Sequence, residues 1–453
     1  MEPRFQQRKE QLLAGCQIPP ALFRGVMSRL EVFARPFAAS LPSPESREHS
    51  RTYLAGLLSD LERKNAETIA YRNDLDRQVI QRFLGEVAWD HDPLIDELNR
   101  QVACTLGRPD AVLVIDPSAF AQKGTASVGV KRQWCGRLGK VENCQVGVFL
   151  GYVGDEGHAL VDFRLYLPRE WARDRKRRTR AGVPKGIRYR TRHELALEML
   201  RCRGDALPHG WVAGDDEMGR PAWFRARLAG DQQRYFLAVP SNTTIRDLEE
   251  APPPYGGHGR RPKPPFRGVR RWCEALPAAA WTKLTVRDGE KGPLEVEIVA
   301  RRVESKIERR VVGFEEMLVV IRYEDGGVVK YDYHLSNAAP DTPPGEFARV
   351  AKAAHRIEES LKRSKSEAGL GTYQVRNWLG WHHHMALSLI ATWFLVEEAR
   401  RGKKGHAGVD GAAGAGGSGS DPAPGEPMRH ATSGGTDETA EAGAERVGAA
   451  LSL

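Results

Sequence analysis

The chain has no Cys-x-x-Cys pair, no apolar run long enough to cross a bilayer, and no Gly-x4-Gly-Lys-Ser/Thr loop. Its six cysteines, Cys16, Cys104, Cys135, Cys144, Cys202 and Cys273, are scattered, so neither structural zinc nor a disulfide framework is expected. The most apolar stretch, Met385 to Val396, falls well short of the ~20 residues a spanning helix needs and reads as a buried core helix. Met1 to Leu13 is charged and amphipathic rather than a basic segment followed by an apolar one, so no secretory signal is expected and the cytoplasm is the default. Without a phosphate-cradling loop, chemistry driven by a nucleotide cofactor is not indicated. No unit of 20 to 50 residues repeats, which excludes solenoids and propellers.

What is present is basic charge and ample length. At 453 residues two or three domains are expected, with a core large enough to need no covalent staples. The formal net charge is +9, and Lys and Arg bunch from Arg169 to Arg192 and again from Arg260 to Arg271. Such bunching favours a polyanionic partner over a merely basic surface.

From Ile18 to about Leu106 apolar residues recur at helical spacing, with Tyr53, Leu57 and Leu61 in one stripe, until Gly107-Arg108-Pro109 breaks the pattern. Short β-like runs follow: Ala111 to Asp116, Cys144 to Val153 and His158 to Leu167, the last two joined by the turn Gly154 to Gly157. Thr191-Arg-His-Glu194 is a capping box that opens a helix. Trp211-Val-Ala-Gly-Asp215 is then a short buried strand, and Pro221 to Leu228 has helical spacing again. The order β-β-β-α-β-α is the ribonuclease H-like plan.

Strand-like runs at Tyr235 to Val239, Trp281 to Val286, Leu294 to Arg301, Val311 to Tyr323 and Val328 to Leu335, interrupted by the Pro/Gly/Arg-rich loop Ala251 to Gly268, read as a β-rich insertion. Phe347, Val350, Ala354, Ile357 and Leu361 place a long helix after it. From Gly402 onward aromatics vanish and small residues dominate, a composition that cannot offset ordering entropy. The expected organisation is an α/β protein: a helical N-terminal domain over 1–108, a ribonuclease H-like core over 109–233, the β-rich insertion over 234–340, a helical completion of the core over 341–401, and a disordered tail over 402–453.

Three acids fall on three regular elements: Asp116 closes Ala-Val-Leu-Val-Ile-Asp, Asp215 closes Trp-Val-Ala-Gly-Asp, and Glu358 rides the long helix with Lys362 and Lys365. A carboxylate at the end of a buried strand is costly to desolvate unless a cation sits beside it. Magnesium suits a sparse carboxylate set completed by waters and substrate phosphates, and two ions ~3.5–4 Å apart serve both the attacking and the leaving oxygen of a phosphodiester. Each acid also has a plainer reading. Asp116 before Pro117 could open a turn. Asp215 could cap the next helix, with Asp216 or Glu217 as the acid instead. Glu358 could simply pair with Lys362.

Arg173, Arg175, Lys176, Arg177, Arg178 and Arg180 are dense enough to neutralise several phosphates, with few interleaved amides, so they are expected to position a nucleic-acid backbone rather than read sequence. Trp281 is either a base-stacking residue or, more commonly for a strand Trp, core. Three consecutive histidines, His382 to His384, point ~100° apart on a helix and cannot converge on a metal, so a packing or phosphate-facing role is expected.

The order of strand acid, second strand acid, insertion and helix Glu, with Lys at the seventh position after it, resembles the DDE transposases of bacterial insertion sequences. Similar to one branch are Lys123-Gly124, Ser127-Val-Gly-Val130, Arg132 to Lys140, Asn143-Cys-Gln-Val146, Gly214-Asp215 with Gly219, Ile357-Glu358-Glu359, Gly369-Leu370 and Tyr373 to Trp378. In the helical domain Tyr53 to Leu58 and Arg63-Lys-Asn65 match as well, so the resemblance covers about residues 20–398. In related transposases the Glu belongs to Tyr-x2-Arg-x3-Glu-x6-Lys. Here Glu358 and Lys365 fit, but the Tyr and Arg positions are Ala351 and Ala354, leaving Arg349 or Arg356 as replacements for part of the terminal-phosphate contacts.

The resemblance implies cut-and-paste transposition: Asp116, Asp215 and Glu358 hold two Mg2+ ions, with Mn2+ able to substitute, and Lys362 and Lys365 contact end phosphates. Double-stranded DNA, as element ends and target, is the implied partner, with a homodimer in the synaptic complex and no membrane or nucleotide cofactor. The other readings are a transposase-derived DNA-binding protein that no longer cuts, and a ribonuclease H-like nuclease without strand transfer.

Overall fold

The computed structural model describes residues 25–289, 292–308, 311–325 and 327–412. The chain divides into two compact units: one formed by residues up to Asp90 with Ser364–Gln374 and the segment from Ala386, the other by His91–Arg363 with Val375–Met385.

The first unit is helical. It holds α1 (Val26–Ala38), α2 (Pro44–Leu57), α3 (Ala66–Arg72) and α4 (Arg77–Gly85). Capping sets their starts: Ser43 accepts from the Ser46 N–H before α2, Asn65 and Thr68 form a reciprocal box at α3, and Asp76 caps α4. Helix α1 buries Leu30, Ala34 and Phe37 at four- and three-residue spacing. Phe33 meets Phe394, and Arg29 donates to Glu398 at 2.8 Å. At Gly56 the Ile69 side chain of α3 packs directly against α2, since a Cβ there would overlap it. Lys64 is buried and donates to the Glu367 carbonyl, while Gly369, at φ +68°, has Leu57 and Lys64 against it. The motif residues Gly56, Lys64, Asn65 and Gly369 thus build this unit's packing.

The second unit opens with α5 (Asp92–Leu106), whose Asn99 donates to Val161 at 2.9 Å. Its strands are β1 (Val112–Ala121), β2 (Lys131–Cys135), β3 (Lys140–Val153), β4 (His158–Leu165), β5 (Trp211–Gly214) and β6 (Tyr235–Ala238), then β7 (Thr244–Asp247), β8 (Arg267–Gly268), β9 (Thr282–Gly289), β10 (Gly292–Glu308), β11 (Val311–Asp325) and β12 (Val328–Ser336). Five of them run in the order β4-β3-β1-β5-β6, with β3 antiparallel to both neighbours and β1, β5 and β6 mutually parallel. That is the ribonuclease H-like sheet. Val112 to Ile115 and Trp211 to Gly214 are buried throughout, as strands covered on both faces require.

Between β4 and β5 lie α6 (Arg169–Arg173), α7 (Arg175–Arg180) and α8 (Arg192–Arg203), the last opened by the expected Thr191/Glu194 box. After β5 come α9 (Asp216–Gly219) and α10 (Ala222–Gly230). Tyr235–Ala238, which the sequence reading groups with the insertion, is instead the last parallel strand of the core. The insertion leaves after it, with α11 (Val269–Glu274), and returns through β12, which pairs antiparallel with β6 and prolongs the sheet through β11, β10, β7 and β8. Trp281, Val299, Val303, Leu318 and Trp272 form the insertion's own core.

The long helix α12 (Pro344–Glu367) then lies over the sheet, and α13 (Trp378–Ala412) follows. Met385 to Phe394 is buried throughout, as expected of a core helix. Helix α13 runs to Ala412, into the stretch that composition marks as unstructured; the remainder of 402–453 lies outside the described residues. Among the described residues no helix is long and apolar enough to cross a membrane.

Candidate active site

Strand β1 does not end at Asp116. It continues through Pro117 to Ala121, paired with β3 from Val153 to Cys144, so the expected turn after the acid is replaced by strand. Parallel β5 stops opposite Ile115. From there β1 no longer has β5 beside it, and Pro117, which lacks an N–H, costs no ladder bond on that side.

The same register sets the two strand acids side by side. Ile115 and Gly214 are partners in the parallel β1–β5 pair, so Asp116 and Asp215 are the next residues along neighbouring strands, whose axes are ~4.8 Å apart. Asp215 also caps α9, accepting from the Met218 N–H at 3.0 Å, as the capping reading expected. Gly219 permits this turn, because a Cβ there would collide with the Ala238 carbonyl on β6.

Asp215 is exposed to solvent but crowded by the protein around it. Desolvation by that crowding raises its carboxyl to about 6; the Met218 N–H opposes the shift, and the charges of Glu217 and Asp216 add to it. Solvent exposure decides whether a ligand can reach the group, and this group can be reached. Its two acidic neighbours are occupied otherwise. Asp216 pairs with Arg220 at 3.0 Å, and Glu217 with Arg192 at 2.6 Å, while the Glu217 carbonyl meets the His193 ring at 2.9 Å.

Glu358 is brought to this region by Ile357, which fills the space above Gly151 of β3; a Cβ on Gly151 would overlap it. Gly151 is the partner of Val114, two residues before Asp116. The Glu358 carboxylate is exposed and accepts from Lys362 at 3.0 Å. Lys362 is held above the ordinary lysine range by that hydrogen bond first, then by the Glu358 charge, and Asp116 is among the further charges that act on it. Helix acid, helix lysine and first strand acid therefore share one electrostatic neighbourhood. Lys365 lies in the last turn of α12, its stem beside Gly371.

Among the described residues no three His, Cys, Asp or Glu side chains are gathered as a ready-made metal cluster. Two adjacent strand carboxylates nonetheless fit a hard cation that keeps several waters. For Glu358 to join them, an exposed ion pair worth ~0.3–0.5 kcal/mol must open.

The basic stretch divides. Arg177 stacks on Trp171, 3.8 Å from the ring centre, and donates to the Thr125 carbonyl at 2.7 Å. Arg178 donates to the carbonyls of Ala172, Pro184 and Ile187. These two hold loops together, whereas Arg173, Arg175, Lys176 and Arg180 are exposed. Arg349 is engaged with Glu346 and the Asp110 carbonyl, and Arg356 with the Gly154 carbonyl. Trp281 is buried with Arg322 over its ring, which is the core role. His382, His383 and His384 are buried; His382 meets the Trp378 carbonyl and packs against Trp381, Phe163 and His91, and burial depresses its pKa well below the usual range.

Sequence reasoning missed a buried network beside Asp215. Arg225 of α10 pairs with Glu316 of β11 at 2.7 Å and donates to the carbonyl of Gly219 at 2.5 Å, while Ser305 and Tyr235 donate to Glu316 at 2.9 and 2.7 Å. This network pins the α9 turn to the insertion. The only signal was an arginine on the apolar side of a helix, at Ala222, Arg225 and Leu228.

Two adjacent strand carboxylates on such a sheet suit the chemistry of a metal-dependent nuclease. The DDE superfamily endonuclease family matches residues 36–293, more than half of the chain, and the chain belongs to that family. The match includes Asp116 and Asp215 and stops before Glu358. Divalent metal is the family's cofactor class. The chain is 32% identical over 174 residues to a probable transposase for insertion sequence element IS701 from Microchaete diplosiphon, a span of 36% of this chain and 41% of that protein. It thus spans about two-fifths of that relative's length. Among solved structures, a piggyBac transposase synaptic complex with hairpin DNA aligns over 87% of this chain and 76% of that one, with 9% identity and a TM-score of 0.39.

Proposed function

We propose that the chain is a DNA transposase that cleaves the ends of an insertion sequence and joins them to target DNA, with Asp116, Asp215 and Glu358 as its acids and two Mg2+ ions as its cofactor. The observation that carries this is the parallel register that sets Asp116 and Asp215 on neighbouring strands. Asp215 is preferred over Asp216 and Glu217 because each of those is paired with an arginine. Bound magnesium would neutralise charge on the reacting phosphate and make water a stronger nucleophile at neutral pH.

The residues of the chain do the positioning. Asp116 and Asp215 are fixed by the ladder, and Glu358 completes the set by turning from Lys362. Released from Glu358, Lys362 lies near Asp116, where its ammonium can meet a phosphate of the element end; Lys365 on the same helix is assigned the same role. Arg173, Arg175, Lys176 and Arg180 are assigned to the DNA backbone, with Arg177 and Arg178 as the scaffold that presents them.

In the first step water attacks the end phosphorus, the P–O3′ bond breaks and a 3′-hydroxyl is released. In the second, that hydroxyl forms a new P–O bond at the target while the target's own P–O3′ bond breaks. One phosphodiester is exchanged for another, so no nucleotide cofactor is needed. A homodimer holding two ends is the assembly this reaction calls for.

The test is Mg2+-dependent cleavage and joining on supercoiled DNA carrying the element's own ends, comparing wild type with Glu358→Gln. Loss of both activities with binding retained is expected. A wild-type chain that binds the ends but never nicks them with Mg2+ or Mn2+ would overturn the proposal.

A further inference from the structure

The end of the β2–β3 hairpin lies beyond the stretch of β3 that pairs with Asp116, and it exposes large apolar residues. Trp134 is 61% exposed, Val141 52% and Leu138 43%. Trp134 and Val141 are directly opposed cross-strand partners, and Arg132 and Asn143 are the next such pair on the same face. The opposite face is anchored, because Cys135, Cys144 and Val146 form a small core with Ala119 and Tyr166. Residues 131–140 include four basic residues and no acid. A 3-10 turn, Gly136–Leu138, and Gly139 in the left-handed region close the tip. Strand β2 ends the sheet's main path, so the hairpin is an edge.

Its base touches the basic stretch. Trp171 of α6 donates to the Val130 carbonyl at 2.7 Å, Lys131 pairs with Glu170, and Arg177 of α7 reaches the Thr125 carbonyl. The exposed Arg173, Arg175, Lys176 and Arg180 therefore belong to the same part of the unit as the hairpin. Lys131 and Lys140 are paired with Glu170 and Glu142, but an exposed apolar trio on a two-stranded ribbon beside exposed Arg132, Arg173, Arg175, Lys176 and Arg180 suits a polyanion with apolar edges.

We propose that the β2–β3 hairpin is a groove-entering arm for duplex DNA, with Trp134 and Val141 making the apolar contact and Arg132 the anchoring charge. The inference rests on the DNA reading given above. A two-stranded ribbon fits the ~12 Å width of the major groove. Asp116 lies opposite Phe149, and Val141 lies eight residues further along β3, about 26 Å at ~3.3 Å per residue. With the duplex axis laid along β3, the arm would contact DNA about eight base pairs from the phosphate at the acids, taking ~3.4 Å per base pair.

The test is binding of the full chain to labelled duplex carrying the element ends, in EDTA and across a salt series, with dimethyl sulfate footprinting of guanine N7 in the major groove. Trp134→Ala is expected to weaken binding about tenfold, leave the salt slope unchanged and lose guanine protection about eight base pairs from the cleavage point. Trp134→Phe is expected to recover most of the affinity. Arg132→Ala with Lys140→Ala is expected to flatten the slope of log K against log salt by ~1.8, at ~0.9 per phosphate. Trp134 is exposed, so its variants should melt as wild type does.

Wild-type affinity and footprint in Trp134→Ala overturn the arm. So does an affinity loss that tracks a change in self-association with the footprint intact, because the hairpin would then contact another copy of the chain. If the wild-type chain itself binds no duplex at any salt, the DNA reading of the whole protein fails first.

Discussion

Asp116 and Asp215 are positioned by backbone; Glu358 is positioned by a side chain. The strand acids sit one residue past a fixed ladder pair, so their spacing follows from hydrogen bonds that no rotamer can alter. Glu358 stands on an exposed helix face in a pair with Lys362. A site built from these three acids, as proposed, is rigid in two of its parts and adjustable in the third, with the adjustable part costing little to move.

The sharpest way to break that contrast is to neutralise the strand acids. Asp116→Asn and Asp215→Asn should each reduce metal-dependent cleavage by roughly 10^2- to 10^3-fold or more while DNA binding persists; gel assays of nicking and binding check this. Next in size is the support beneath Asp215. Arg225→Met leaves Glu316 buried without its cation and should cost about 3–5 kcal/mol in chemical denaturation. Arg225→Met with Glu316→Met should recover most of that loss, because no unpaired charge remains.

A smaller effect follows from the Asp215 carboxyl, raised from 3.8 to about 6. The folded chain holds this proton more tightly than the unfolded chain does. The resulting stabilisation is complete below about pH 4 and lost as pH rises through 6. Asp215→Asn keeps a capping oxygen and has nothing to ionise. Without divalent metal it should therefore melt higher than wild type at pH 7.5, with the gap closing as pH falls toward 4. Equal melting at both pH values would sink this account of the site. Smallest is Lys362→Ala, which removes an exposed helical pair and should change stability by only ~0.3–0.5 kcal/mol.

The sequence was most legible where local chemistry decides structure. The Thr191/Glu194 box, the buried runs of β1 and β5, and the helical spacing around Ile357 all produced the elements they signalled. It was least legible where partners are distant in sequence. Tyr235–Ala238 looks like one more insertion strand until β5 pairs with it in parallel. Pro117 looks like a turn until β3 proves to pair with it and β5 to stop two residues earlier. Arg177 and Arg178 looked like phosphate ligands, but the carbonyls they hold come from other loops. Asp116 and Asp215 could be named as candidates from the apolar runs that lead to them, whereas the arginines paired with Asp216 and Glu217 could not be foreseen.

The most direct test of the central claim replaces each candidate strand acid by cysteine and compares cleavage in Mg2+ with cleavage in Mn2+, which accepts the softer thiolate more readily. The account predicts that Asp116→Cys and Asp215→Cys are inactive in Mg2+ and regain cleavage in Mn2+, while Asp216→Cys and Glu217→Cys cleave in both. Full Mg2+ activity in Asp116→Cys or Asp215→Cys would contradict it.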